Sequence, residues 1–171
     1  MACETLLNTG RTLVVSISLS SDCESTPLTT ATTPISDWEP IGSVQSTNEN
    51  INERTTTANT DSESLTLMET LGLDFELTLT ALDVADVASV STQQAIRDAI
   101  VDAGISIPPT SVKKWVRVWD KALSQYRYYY VHCAAPSRSG EVEGNRTAEF
   151  TFTAVPTGKP DNKPFQKETI S

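Results

Sequence analysis

Between Asp74 and Leu82 the chain alternates without a break, with Phe75, Leu77, Leu79 and Ala81 on one side and Glu76, Thr78 and Thr80 on the other. A period of two marks a strand with one face in a core and one in solvent. Such a strand obliges the rest of the chain to supply backbone partners for its edges. Other runs meet that demand. Residues 12–19 put Leu13, Val15, Ile17 and Leu19 on one face, and 148–155 alternate Phe150, Phe152 and Ala154 with Thr151 and Thr153. Residues 112–119 set Trp115, Arg117 and Trp119 opposite Val116 and Val118, and 126–133 pair naturally with them across a turn at 120–124. Residues 38–47 form a further strand, interrupted at Pro40 and Gly42 and so expected to be bent or at an edge.

One helix is expected. Ser91 takes the N-cap with Gln94 three residues on, a capping-box pattern. Ala95, Ile96, Ala99, Ile100 and Ala103 make an apolar stripe, and Gly104 stops the helix with Pro108 and Pro109 beyond. A helix of about three turns persists only when packed on a sheet. The expected fold class is mainly β: two packed antiparallel sheets, a sandwich or partly open barrel, with one flanking α-helix and long polar loops or arms. At 171 residues the chain suits a single domain.

The polar stretches are as informative as the strands. Residues 20–34, rich in Ser and Thr with Pro27 and Pro34, read as an exposed loop. Residues 48–64 are almost wholly polar, and a loop of that length is uncommon in a compact domain unless it is functional or mobile. The Thr run there could extend as a hairpin arm, but it has no apolar face to bury on its own subunit. An arm that orders against a neighbour is the preferred reading; a surface loop without a partner is the other. The segment 136–144 is a second polar loop, and the tail from Pro156, with Gly158, Pro160 and Pro164, is expected to be extended or disordered in a monomer.

Net charge is −9, which argues against wrapping nucleic acid, because that affinity comes mainly from cations on phosphates. The charge is unevenly spread. Residues 1–105 hold 16 Asp/Glu against Arg11, Arg54 and Arg97, while residues 106–171 hold ten Lys/Arg against six Asp/Glu. This suits head-to-tail association of an acidic with a basic surface, or it is chance segregation within one fold. No stretch approaches the roughly 20 apolar residues of a membrane span. The first residues lack a secretory pattern, so synthesis in a cytoplasm is expected. Cys3, Cys23 and Cys133, scattered and odd in number, read as free thiols.

Catalytic patterns are weak. His132 is the one histidine and falls mid-strand among tyrosines, with no GxSxG elbow. One His and scattered Cys are too few soft ligands for zinc or iron. Glu141 and Glu143 fall in a loop, and Asp83 and Asp86 between strand and helix, with no apolar pocket to separate their pKa values. Neither GxGxxG nor GxxxxGK[ST] occurs. No enzyme activity and no cofactor are expected. Trp115, Trp119 and the nearby tyrosines could stack on bases, but acidity and ordinary cross-strand pairing favour sheet core and subunit interface.

The order of parts resembles the tail tube family of tailed bacteriophages. It comprises a short N-terminal arm (1–11), the strand at 12–19, and the segment Asp37-Trp38-Glu39-Pro40-Ile41-Gly42-Ser43-Val44 entering a long polar hairpin loop. The strand Phe75-Glu76-Leu77-Thr78-Leu79, one helix and an aromatic strand pair follow. The run Ala148-Glu149-Phe150-Thr151-Phe152-Thr153-Ala154-Val155-Pro156-Thr157-Gly158 and a polar C-terminal arm (156–171) complete it. The resemblance implies a virion protein whose homo-oligomeric, hexameric rings stack into a hollow tube. The genome would pass through the lumen without specific binding, with tape measure, tail tip and terminator proteins as partners and no membrane. It places the long loop, 48–64, against the adjacent ring, making Glu49, Asn50, Asn52, Glu53, Arg54, Asp61 and Glu63 candidate inter-ring contacts; Trp38, Trp115 and Trp119 are candidate interface aromatics. An immunoglobulin-like domain after the last strand, which some members of the family carry, is not expected. A long flexible tail is favoured, although contractile tails and type VI secretion tubes share the fold. Two other classes stay open: a tail terminator, capsid-decorating or other ring-forming virion protein, and a monomeric carbohydrate-binding module presenting Trp115 and Trp119.

Overall fold

The computed structural model describes residues 13–42, 44–59, 66–82, 88–140, 146–158 and 163–170. The N-terminal arm and Asp61, Glu63, Asp83, Asp86, Glu141 and Glu143 lie outside them. Along the described chain run β1 (Leu13–Ser18), β2 (Glu39–Pro40), β3 (Val44–Asn59), β4 (Thr66–Leu82), α1 (Ala88–Ile105), β5 (Lys113–Asp120), β6 (Gln125–Cys133), β7 (Ser137–Ser139), β8 (Thr147–Ala154) and β9 (Phe165–Thr169). The ladders between them are antiparallel and make one sheet of order β2-β1-β5-β6-β8-β4-β3, with β7 added to β8 and β9 to β6.

The sheet is continuous through a narrow seam. β6 and β8 share only the pairs Val131↔Ala154, His132↔Thr153 and Cys133↔Phe152. Away from the seam β6 takes β9 on that edge, and β8 takes β7. The sheet therefore parts into two wings whose apolar faces share one core. Val15, Ile17, Val116, Val118, Tyr129 and Val131 of the first wing are buried together with Leu77, Leu79, Ala81, Ala148, Phe150 and Phe152 of the second. Phe75 of β4 stacks on Phe165 of β9 at 4.7 Å between ring centres, although those strands share no ladder. Two packed layers thus arise from one antiparallel sheet that does not close into a barrel.

The turn from β5 to β6 follows from its sequence. Asp120 Oδ1 accepts from the backbone N–H groups of Ala122 and Leu123 at 3.0 and 3.2 Å, and Ser124 takes φ 47°. The helix begins at Ala88, three residues ahead of the expected cap at Ser91. Ile96 is buried and Ile100 packs on the core, but Thr92, Gln93 and Arg97 are buried with them. Polar bonds dock that face: Gln93 Nε2 donates to the carbonyls of Gly42 and Leu82, and Thr92 Oγ1 donates to Glu39 Oε2. The Arg97 guanidinium lies 5.5 Å over the Phe150 ring.

Three polar stretches are more ordered than their composition suggests. Residues 48–59 run within the strand β3, and in the C-terminal tail Phe165–Thr169 are extended as the strand β9. Residues 19–38, which include the segment 20–34 expected to be an exposed loop, lie as a strap over the outer face of β5 and β6. Cys23, Leu28, Ile35 and Trp38 there cover Trp115, Tyr128 and Tyr130.

Candidate assembly surfaces

The β3–β4 hairpin outruns the sheet that supports it. β4 pairs with β8 only from Glu76 to Leu82, whereas its pairing with β3 continues from Asn50↔Glu76 out to Asn59↔Thr66. From Ile51↔Phe75 outward, β3 and β4 are each other's only ladder partners among the described residues. The two-stranded ribbon is about 25–30 Å long at the usual rise per residue. β3 also ends the sheet order, so among the described residues no strand pairs with the outer edge of this 16-residue strand. A ribbon of two strands is marginal alone in water. Asn50, Asn52, Glu53 and Arg54 all lie on it, and Ile51 is exposed among them.

Glu49 sits where the ribbon leaves the body and is engaged there within the protomer. Its Oε2 meets Arg127 Nη2 at 2.9 Å, and its Oε1 accepts from Arg127 Nε at 3.3 Å and Tyr129 Oη at 3.0 Å. Arg127 Nη1 reaches Asp120 Oδ2 at 3.5 Å. Burial opposes the charge on Arg127, but Glu49, Tyr129 and Asp120 outweigh it and raise its pKa. Burial first, and the Glu49 charge second, push the Tyr129 phenol well up, so it stays a donor. This network ties β3 of one wing to β6 of the other where no backbone ladder does.

The strap has its own anchors. Arg117 is held between the rings of Trp38 and Tyr126, each 4.7 Å from its guanidinium carbon. Glu168 of β9 accepts from the Thr29 N–H at 3.0 Å, Thr29 Oγ1 at 2.7 Å and Tyr128 Oη at 2.9 Å. Asp37 accepts from the hydroxyls of Ser18 and Ser20. For both carboxylates burial acts to raise the pKa, yet these donors prevail and hold it below the ordinary value.

The candidate aromatics separate accordingly. Trp115 is fully buried, donating Nε1–H to the Asp22 carbonyl at 3.0 Å, and Trp38 and Trp119 are partly exposed. Because the strap covers Trp115, Trp115 and Trp119 do not form an open stacking platform. Sequence reasoning missed the strap, since its apolar residues Cys23, Leu28 and Ile35 are too widely spaced to show a period. His132 lies in β6 opposite Lys113 and Thr153. Cys23 and Cys133 form no disulfide among the described residues, and burial pushes the Cys133 thiol up to about 12. Among the described residues no group of three or more His, Cys, Asp or Glu could hold a metal ion, and no helix is long and apolar enough to cross a membrane.

No protein-family model matches this chain, and no curated protein matches it in sequence. Solved structures match its fold. A chain from the tail of an empty gene transfer agent particle, solved with C6 symmetry, is similar with a TM-score of 0.59 at 11% identity, over 96% of this chain and 100% of that one. The SPP1 tail tube is similar with a TM-score of 0.56 at 13% identity, over 96% and 81%. A chain from the sheath–tube complex of an extracellular contractile injection system gives 0.56 at 10% identity, over 98% and 95%. The chain therefore has the fold found in the tails of phage-like particles and in contractile injection systems.

Proposed function

We propose that this protein is a structural, non-enzymatic virion subunit, one tail-tube-like domain that self-assembles into stacked rings forming a hollow tail tube for genome delivery. The observation that carries the reading is the β3–β4 ribbon, a long two-stranded extension whose outer edge pairs with no further strand among the described residues. A surface of this kind is unfavourable on a monomer and is resolved when strands of neighbouring copies pair and leave no edge. The tail of the similar gene transfer agent particle was computed with C6 symmetry, which supports six copies per ring here. The ribbon, with Asn50, Asn52, Glu53 and Arg54 and the adjoining Asp61 and Glu63, is the contact to a neighbouring ring, and the two termini add further contacts. Trp38 and Trp119, partly exposed, are the aromatics available to an interface. The acidic surplus of the chain favours sliding of DNA through the lumen over binding it. Tape measure, tip and terminator proteins are the expected partners, with assembly in a host cytoplasm.

The test is a variant in which Asn52 and Asp74, a register pair, are joined by an Asn-Gly turn in place of the ribbon. It keeps native circular dichroism and sediments as a monomer or single ring at concentrations where the intact chain stacks. Stacking by the shortened variant equal to that of the intact chain would overturn the assignment.

A further inference from the structure

Two exposed patches lie at opposite ends of one strand, and their chemistries match. On α1, Gln94, Asp98, Val101, Asp102 and Ile105 fall within about 100° of arc at 3.6 residues per turn, and all five are exposed. Ile105 is 73% exposed and Ile107, just past the helix, 99%. Three large apolar side chains and two carboxylates thus stand exposed on or just past α1, and no described element of the protomer covers them. Polar contacts at the edge of this patch include Gln94 Nε2 donating to Asp98 Oδ1 at 2.7 Å and Arg138 Nη2 donating to Gln94 Oε1 at 3.4 Å.

The chain returns to the end of α1 before entering β5, since the Thr110 N–H donates to the Ala103 carbonyl at 2.9 Å. The eight residues of β5 then carry it about 25 Å away. There the exposed turn 121–124 presents Lys121 and Leu123, the latter 61% exposed. Exposed Ile170 is tied beside it, its N–H donating to the Ser124 carbonyl at 2.9 Å. The carboxylates near this turn are already engaged: Asp120 by the turn and Arg127, Glu168 by Thr29 and Tyr128.

We infer that the outer face of α1 in one copy receives the β5–β6 turn of the next. Leu123 and Ile170 pack against Val101, Ile105 and Ile107, and Lys121 faces Asp98 and Asp102. The inference rests on the self-assembly proposed above and names the surface that sets its polarity. Two different patches at opposite ends of a strand give a head-to-tail contact that propagates. Self-pairing of the α1 face would instead bring four carboxylates together, which like-charge repulsion opposes.

The test compares the intact chain with Asp98→Lys/Asp102→Lys, with Lys121→Glu, and with all three changes together, by sedimentation velocity over a range of concentration. All the changes are on exposed side chains, and lysines near a helix C-terminus suit its dipole, so circular dichroism stays native. Each charge reversal raises the concentration at which assembly begins by about tenfold or more, and the triple variant recovers most of the loss. Reversals that leave the onset unchanged while the intact chain assembles would overturn this contact and leave the tube reading standing. Loss without recovery in the triple variant would also overturn it. An intact chain that stays monomeric throughout would overturn both.

Discussion

At the scale of single residues, the protomer is held by polar side chains placed where backbone pairing stops. Glu49 is the clearest case, because its three contacts to Arg127 and Tyr129 join strands that share no ladder. Glu49→Ala leaves a half-buried guanidinium short of its partner and lowers unfolding stability by about 1–3 kcal/mol in chemical denaturation. Phe150, buried beneath Arg97, marks the apolar limit; Phe150→Ala costs about 3–5 kcal/mol in the same measurement. The strap carboxylates give a pH dependence of definite sign. Glu168 and Asp37 titrate below their ordinary values of 4.5 and 3.8 in the folded chain. Their contribution is therefore complete above those values and is lost as pH falls through the lower folded ones. Acidification from pH 6 to below 4 loosens the strap, read as a change in tryptophan emission as Trp38 and Trp115 lose cover. Glu168→Gln moves the onset of that change to higher pH or produces it at neutrality.

At the scale of elements, what was legible depended on whether a strand had one buried face. β4, β8, β1 and the β5–β6 pair all bury one side, so alternation in Phe75, Leu77, Leu79 and Ala81 or in Phe150 and Phe152 displayed them directly. The outer part of β3 has Asn, Glu and Thr at successive positions, and a strand polar on both faces carries no period to read. β9 has a single aromatic anchor, Phe165, and its place is set by backbone pairing to β6, which composition does not reveal. The helix was found by its apolar stripe, but its docked face includes Gln93 and Arg97, whose roles depend on the carbonyls and ring they meet. For the proposed assembly surface, the polar segment was visible in the sequence, but not that it is a strand whose outer edge meets no other strand among the described residues. That edge carries its own prediction. Backbone amides of residues 51–59 exchange with solvent rapidly in dilute protein and become protected by about a hundredfold or more on assembly, as edge groups find partners.

At the scale of the whole molecule, the two wings make a body with its own core, and the ribbon extends beyond it. The core accounts for a folded protomer, and the long extension is the part that the proposed assembly assigns to other copies. The uneven charge fits the same picture, since 16 of the 22 acidic residues precede residue 106 and ten of the 13 Lys/Arg follow residue 105. Screening by salt then weakens head-to-tail contacts between exposed groups, over a Debye length of about 8 Å at physiological ionic strength. The most direct examination is negative-stain electron microscopy of the purified chain across a range of concentration. The account predicts hollow tubes or stacked rings whose end-on averages show six subunits. A protein that remains monomeric at the highest concentrations, with its ribbon amides still unprotected, would contradict it.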